Sequence, residues 1–168
     1  MIRIKTTLLI LWVLLICNAC GIYSFSGTSI APDVESISIE YFENKALQVN
    51  PSLANTLTEE LIDKYRKLTK LDILTEEGDL NVYGEIMSYE VNPTAVTADE
   101  VASKNRLTIT VQITFTNKKH PEEDFEKSFA GFADYDSMQS LDAVQDALVL
   151  QITEVIVEDI FNATVANW

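Results

Sequence analysis

The stretch from Arg106 to Thr116 constrains this chain more than any other. Leu107, Ile109, Val111, Ile113 and Phe115 alternate with Thr108, Thr110, Gln112, Thr114 and Thr116. Strand side chains point to opposite faces with period two, so the pattern fits one long strand buried on one side. Its threonine-rich face is uncharged and β-favouring, which suits a solvated sheet face or one that meets a polar partner. After the charged residues 117–124 (NKKHPEED), Phe125 to Tyr135 returns as the next strand, and so short a loop makes the pair an antiparallel hairpin. A glycine beside Phe132 predicts a phase change at Gly131-Phe132.

The remaining elements follow from similar patterns. Val34 to Phe42 alternates, with Ile37, Ile39 and Tyr41 on one side and Ser36, Ser38 and Glu40 on the other. Asn50-Pro51 supplies a cap and a first-turn proline for an amphipathic helix over 51–69, with Leu53, Leu57, Leu61, Tyr65 and Leu68 in one stripe. Residues 71–74 (LDIL) fit a short strand or a helix exit. Leu80, Val82, Gly84 and Ile86 share a face, whereas Met87, Tyr89 and Val91 have the other parity, so a bulge or strong bend is expected beside Gly84. Residues 92–105 have loop composition, long enough to suggest a functional loop. Ser140 caps a final helix to about Ala163 or beyond, with Leu141, Val144, Leu148, Ile152, Val155, Ile156 and Ile160 inward and Gln145, Asp146, Thr153, Glu154 and Glu158 outward. The expected fold is an α+β sandwich of the α/β class. Its sheet has about four mainly antiparallel strands with two helices on one face, in the order β-α-β-β-β-α.

The first twenty residues say where such a domain works. Arg3 and Lys5 precede an unbroken apolar run from Leu8 to Cys17, followed by Asn18, Ala19 and Cys20. This is the layout of an export signal, and ten apolar residues rise only about 15 Å as a helix, too short for a comfortable span. Ala19-Cys20-Gly21 resembles a bacterial lipobox, with Cys20 the acylated first residue of the mature chain; Cys17 departs from the aliphatic residue usual three before the cut. An ordinary secretory signal cut near Ala19, leaving Cys20 a free thiol, is the competing reading. The organisation expected is a signal over 1–19, an acylated tether over 20–33 and one domain over 34–168.

Without residues 1–19 the chain has 149 residues, enough for one core, and loses two cations, so its formal charge moves from −14 to −16. Such a domain repels nucleic acid and anionic headgroups, so acyl chains must anchor it. Cys20 would be its one cysteine, so it has no internal disulfide and nothing left for redox chemistry once acylated.

Catalytic constellations are scarce. His120 is the chain's one histidine and reads as a solvated loop residue, and the five glycines are not clustered as a phosphate loop requires. Adjacent acids such as Glu59-Glu60 and Glu122-Glu123-Asp124 do not face each other and read as solvated charge. The expectation is a non-enzyme without cofactor or metal.

Taken together, residues 20–27 (CGIYSFSG), Tyr41-Phe42-Glu43-Asn44, residues 92–96 (NPTAV) and residues 105–111 (NRLTITV) resemble the LptE-type lipopolysaccharide-assembly lipoproteins in the form found in Bacteroidetes. That resemblance implies a small α/β sandwich anchored in the inner leaflet of the outer membrane. It implies a seat in the lumen of an LptD-type β-barrel, which the protein helps to assemble and plugs during lipopolysaccharide transport to the cell surface. Lipopolysaccharide itself is a further candidate ligand. The chain departs from a basic binding site, since the one basic cluster evident is Lys118-Lys119-His120, with Lys104 and Arg106 beside the loop. Candidate partner contacts are Asn92, Pro93, Thr94, Val96, Lys104 and Arg106, with Cys20 for lipidation. A periplasm-facing lipid-binding lipoprotein or transport-ATPase auxiliary is the alternative reading; it would need an apolar cavity.

Overall fold

In the computed structural model two helices cover one face of a mixed sheet whose strands run in the order β3-β1-β4-β5-β6, with β2 also paired to β4. The structure describes residues 29–48, 50–94 and 104–165. The strands are β1 (Ser36–Ile39), β2 (Glu43–Asn44), β3 (Asp72–Leu74), β4 (Leu80–Thr94), β5 (Lys104–Asn117) and β6 (Phe125–Asp136). The helices are α1 (Leu53–Leu68) and α2 (Leu141–Val165). The expected class therefore holds, with six strands in place of four. The two extra strands, β2 and β3, are two and three residues long, too short to show a period in sequence.

β4, β5 and β6 form the antiparallel body of the sheet, and β1, β2 and β3 add to it in parallel. The alternation of β5 is the one expected: Leu107, Ile109, Val111 and Ile113 are fully buried beneath the helices. Burying each such side chain contributes about 1.5–3 kcal/mol before the cost of ordering the chain. Tyr65 of α1 meets Phe161 of α2 edge-on at 5.2 Å and hydrogen bonds to Thr164. Burial pushes its phenol above the ordinary range.

Several details differ from expectation. Tyr41, expected inward, is 57% exposed, and Phe42 is fully buried in its place. Ile39 stands opposite Val82 but Glu43 opposite Glu85, so four steps on one strand span three on the other. That extra residue flips the parity, and the Phe42 N–H donates to Thr58 of α1 at 3.2 Å. Gly84 is the counterpart of this switch: a Cβ there would lie 2.4–2.7 Å from the Phe42 ring. The β4 bulge lies between Ile86 and Ser88, past Gly84. Gly131 marks no phase change, because β5 and β6 pair without a shift from Lys104–Asp136 to Phe115–Phe125. Its hydrogen makes room for Ile152, which would lie 2.9 Å from a Cβ. On α2, Thr153 is fully buried and Val155 is exposed, the reverse of the expected assignment.

Asn50 caps α1 as expected, its side-chain oxygen accepting from the N–H groups of Ser52 and Leu53 at 3.0 and 3.2 Å. At the start of β4 the Asp79 carboxylate accepts from the N–H groups of Glu35 and Ser36 at 3.0 and 3.2 Å. These bonds hold its pKa below the ordinary carboxylate value, the Glu35 N–H contributing most. No described helix is long and apolar enough to cross a membrane.

Candidate partner interface

The sheet face away from the helices has no cover among the described residues. Its centre is the polar side of β5: Thr108, Thr110, Gln112, Thr114 and Thr116. Register sets β4 and β6 residues beside this column in rows: Tyr83, Thr114 and Glu126; Glu85, Gln112 and Ser128; Ser88, Thr110 and Ala130; Glu90, Thr108 and Phe132; then Asn92, Arg106 and Asp134 at the end. An uncharged column thus runs between carboxylates on both neighbouring strands. Gln112 ties the rows together, donating to Glu126 at 3.0 Å and accepting from Ser128. Tyr83 donates to Glu85 at 3.0 Å, which raises the pKa of the phenol.

The face ends in an exposed aromatic, Phe132. Phe132 is 54% exposed, and the Arg106 guanidinium lies 3.9 Å from its ring centre. Arg106 also donates to both Asp134 oxygens, at 2.7 and 3.0 Å. The pairing lowers the pKa of Asp134 and raises that of Arg106.

The candidate contacts read from sequence converge here, though not as a loop. Asn92, Pro93 and Thr94 continue β4 and pair with Arg106, Asn105 and Lys104. Thr94 donates to the Lys104 carbonyl at 2.8 Å. Residues 92–94 and 104–105 of the expected loop are therefore strand, and 95–103 lie outside the described residues. Pro93 is tolerated because β5 is the one described neighbour of β4 at that end. Val96 and Cys20 lie outside the described residues. Phe132 and Asp134 were missed in sequence. Counting register back from Arg106 across the 117–124 hairpin would have found them, but the expected phase change at Gly131 hid that count.

The cations gather elsewhere. Lys118 pairs with Glu77 at 2.8 Å and Lys119 with Asp79 at 3.5 Å. His120, expected to be solvated, sits 3.1 Å from Asp33, and this contact raises the pKa of the imidazole. The last turns of α1 carry Lys64, Arg66 and Lys67, with Lys70 just beyond the helix, cations not anticipated as a group; Lys64 pairs with Glu158 of α2 and Arg66 with Asp63. Among the described residues no group of three or more His, Cys, Asp or Glu could hold a metal ion.

The domain has two distinct poles. Asp33 and His120 lie beside the Leu80–Asn117 end of the β4–β5 ladder, and Ser29 donates to the Val165 carbonyl at 2.7 Å. Arg106 and Asp134 lie toward the other end of the ladder, eleven β5 residues from Asn117 and roughly 37 Å away.

This helix-backed mixed sheet is a fold shared with solved bacterial proteins. A hypothetical protein of Chlamydia trachomatis matches with a TM-score of 0.52 at 9% identity, covering 78% of this chain and 98% of that one. A Xanthomonas campestris protein matches with a TM-score of 0.51 at 8% identity, covering 80% and 91%. At such identities the likeness shows the fold alone. The sequence carries the assignment further: residues 34–164 match the model of the lipopolysaccharide-assembly family LptE, and the chain belongs to that family. Comparison with curated proteins finds no match.

Proposed function

We propose that this chain is an outer-membrane lipoprotein subunit of a lipopolysaccharide translocon, acylated on Cys20, with its uncovered sheet face against the lumen of an LptD-type β-barrel. In this role it assists barrel assembly and plugs the pore, acting by fit and not by catalysis. The observation that carries the reading is the uncovered face itself, in a member of the lipopolysaccharide-assembly family. A barrel lumen is polar, so an inserted domain needs a hydrophilic, shape-matched surface. Threonines and a glutamine at the centre, with one Arg-aromatic cluster at the end, supply such a surface.

The poles fit this placement. Nine residue steps lead from Cys20 to Ser29, a reach of at most about 32 Å, so acyl chains on Cys20 hold the His120 pole near the leaflet. The Arg106 pole then projects along the lumen. Lipopolysaccharide remains a secondary ligand in this reading and is given no site, because Asp134 already neutralises Arg106.

A photo-crosslinking amino acid at Thr110, at the centre of the face, should join the chain to one large outer-membrane barrel. The same probe at Glu59, on the exposed side of α1, should join it far less. Equal yields from both positions, or no barrel adduct from Thr110, would sink the proposal.

A further inference from the structure

A different surface, on the opposite edge of the sheet, has the geometry of a strand-addition site. β3 covers the outer edge of β1 for three residues, from Ser36–Asp72 to Ser38–Leu74, and then stops. The chain after β1 continues alongside β4: Glu40 N–H donates to the Val82 carbonyl at 3.0 Å, and Lys45 N–H to Ile86 at 2.9 Å. Its other edge is open. The backbone N–H of Tyr41 donates to no described residue and its C=O accepts from none.

This open edge floors a groove of about 890 Å³, in line with the end of β3. Half-buried Ile39, Ile62 and Ile73 form its apolar wall, and the exposed Tyr41 and Leu74 stand at its mouth. An apolar wall beside an unpaired strand edge takes an extended peptide, whose main chain pairs while alternate side chains fill the groove.

The rim states the charge of the occupant. Glu40, Glu43, Glu76 and Glu77 surround the groove, and its one cation, Arg66, is held by Asp63 at 2.5 Å. Glu43 and Glu77 have lysine partners, whereas Glu40 and Glu76 have no ion pair among the described residues.

We propose that the edge of Ile39–Phe42, with the groove beside β3, is a docking site for an extended basic segment of a partner polypeptide, added as a short strand in line with β3. The site is independent of the barrel-facing surface and does not rest on that reading.

The test uses the full chain in detergent and an eight-residue peptide of alternating lysine and valine, with binding read by fluorescence polarisation. The peptide should protect the Tyr41 amide from hydrogen exchange, whereas the Glu40 and Phe42 amides, already bonded to Val82 and Thr58, should change little. N-methylation of alternate peptide amides, or the pair Glu40→Lys and Glu76→Lys, should each weaken binding about tenfold or more. Charge reversal at Glu154 and Asp159 on α2 should leave it unchanged. Equal binding of the N-methylated peptide or of a glutamate-valine repeat overturns the proposal. So does protection confined to other segments.

Discussion

The Arg106 guanidinium lies 3.9 Å from the centre of the Phe132 ring while holding Asp134 through two hydrogen bonds. Three side chains from two strands thereby form one rigid, exposed cluster at the end of an otherwise threonine-lined face. Arginine and aromatic anchors of this kind carry a disproportionate share of interface energy. Arg106→Ala and Phe132→Ala should each weaken retention of the barrel partner about tenfold or more. Both side chains are exposed, so the thermal midpoint of the isolated chain should hardly move. Co-purification yield and thermal unfolding, measured on the same preparations, check both halves.

Gly84 leaves the least room of the described glycines, against the Phe42 ring. A methyl at residue 84 would lie 2.4–2.7 Å from the ring, so Gly84→Ala should cost about 1–3 kcal/mol or more by overpacking. Phe42→Ala alone should cost about 3–5 kcal/mol. Adding Gly84→Ala to the Phe42→Ala background should cost much less than it does alone. Denaturant midpoints of the four proteins measure that coupling.

Asp79→Ala should destabilise by roughly 1–2 kcal/mol, since the N–H groups of Glu35 and Ser36 lose their acceptor. The Asp79 pKa is lowered in the fold, so its contribution is present above the unfolded value near pH 4 and is lost as pH falls through the folded value. The gap between wild type and Asp79→Ala should narrow on acidification in that window. A gap that stays constant down to pH 2 contradicts the assignment.

His120 behaves in the opposite sense. Its pKa is raised, chiefly by the hydrogen bond to Asp33, so its contribution is full below the unfolded value near 6.5 and fades as pH rises through the folded value. Thermal midpoints of wild type and His120→Ala should therefore differ at pH 5.5 and converge toward pH 8. Because Asp33 precedes β1, the difference should also appear as faster amide exchange in residues 30–34 of the variant.

Cys20→Ser should abolish acylation and release the mature chain to the soluble fraction. Mass spectrometry of the membrane fraction decides this: a variant still acylated and membrane-bound would rule out Cys20 as the anchor.

What could be read in advance depended on length of pattern. The Leu107–Phe115 alternation is long enough to set face, partners and register, and both helices declared themselves through apolar stripes, although Leu68 at the end of the α1 stripe is half exposed. Tyr41 was expected inward with Ile37 and Ile39, and Phe42 takes its place, because a one-residue insertion between β1 and β2 is invisible in composition. Gly84 and Gly131 were taken as backbone devices, yet each serves by its missing side chain, giving room to Phe42 and Ile152. That need comes from tertiary neighbours far away in sequence. For the same reason the interface was half legible: Arg106 stood out as a cation beside a loop, while Phe132 and Asp134 gained meaning only through register.

The most direct test of the account is the composition of the complex. When the full-length lipoprotein is extracted from membranes in mild detergent and purified, the account predicts that a large outer-membrane β-barrel remains bound in one-to-one ratio. Recovery of the chain alone, or with free lipid and no barrel, would contradict it.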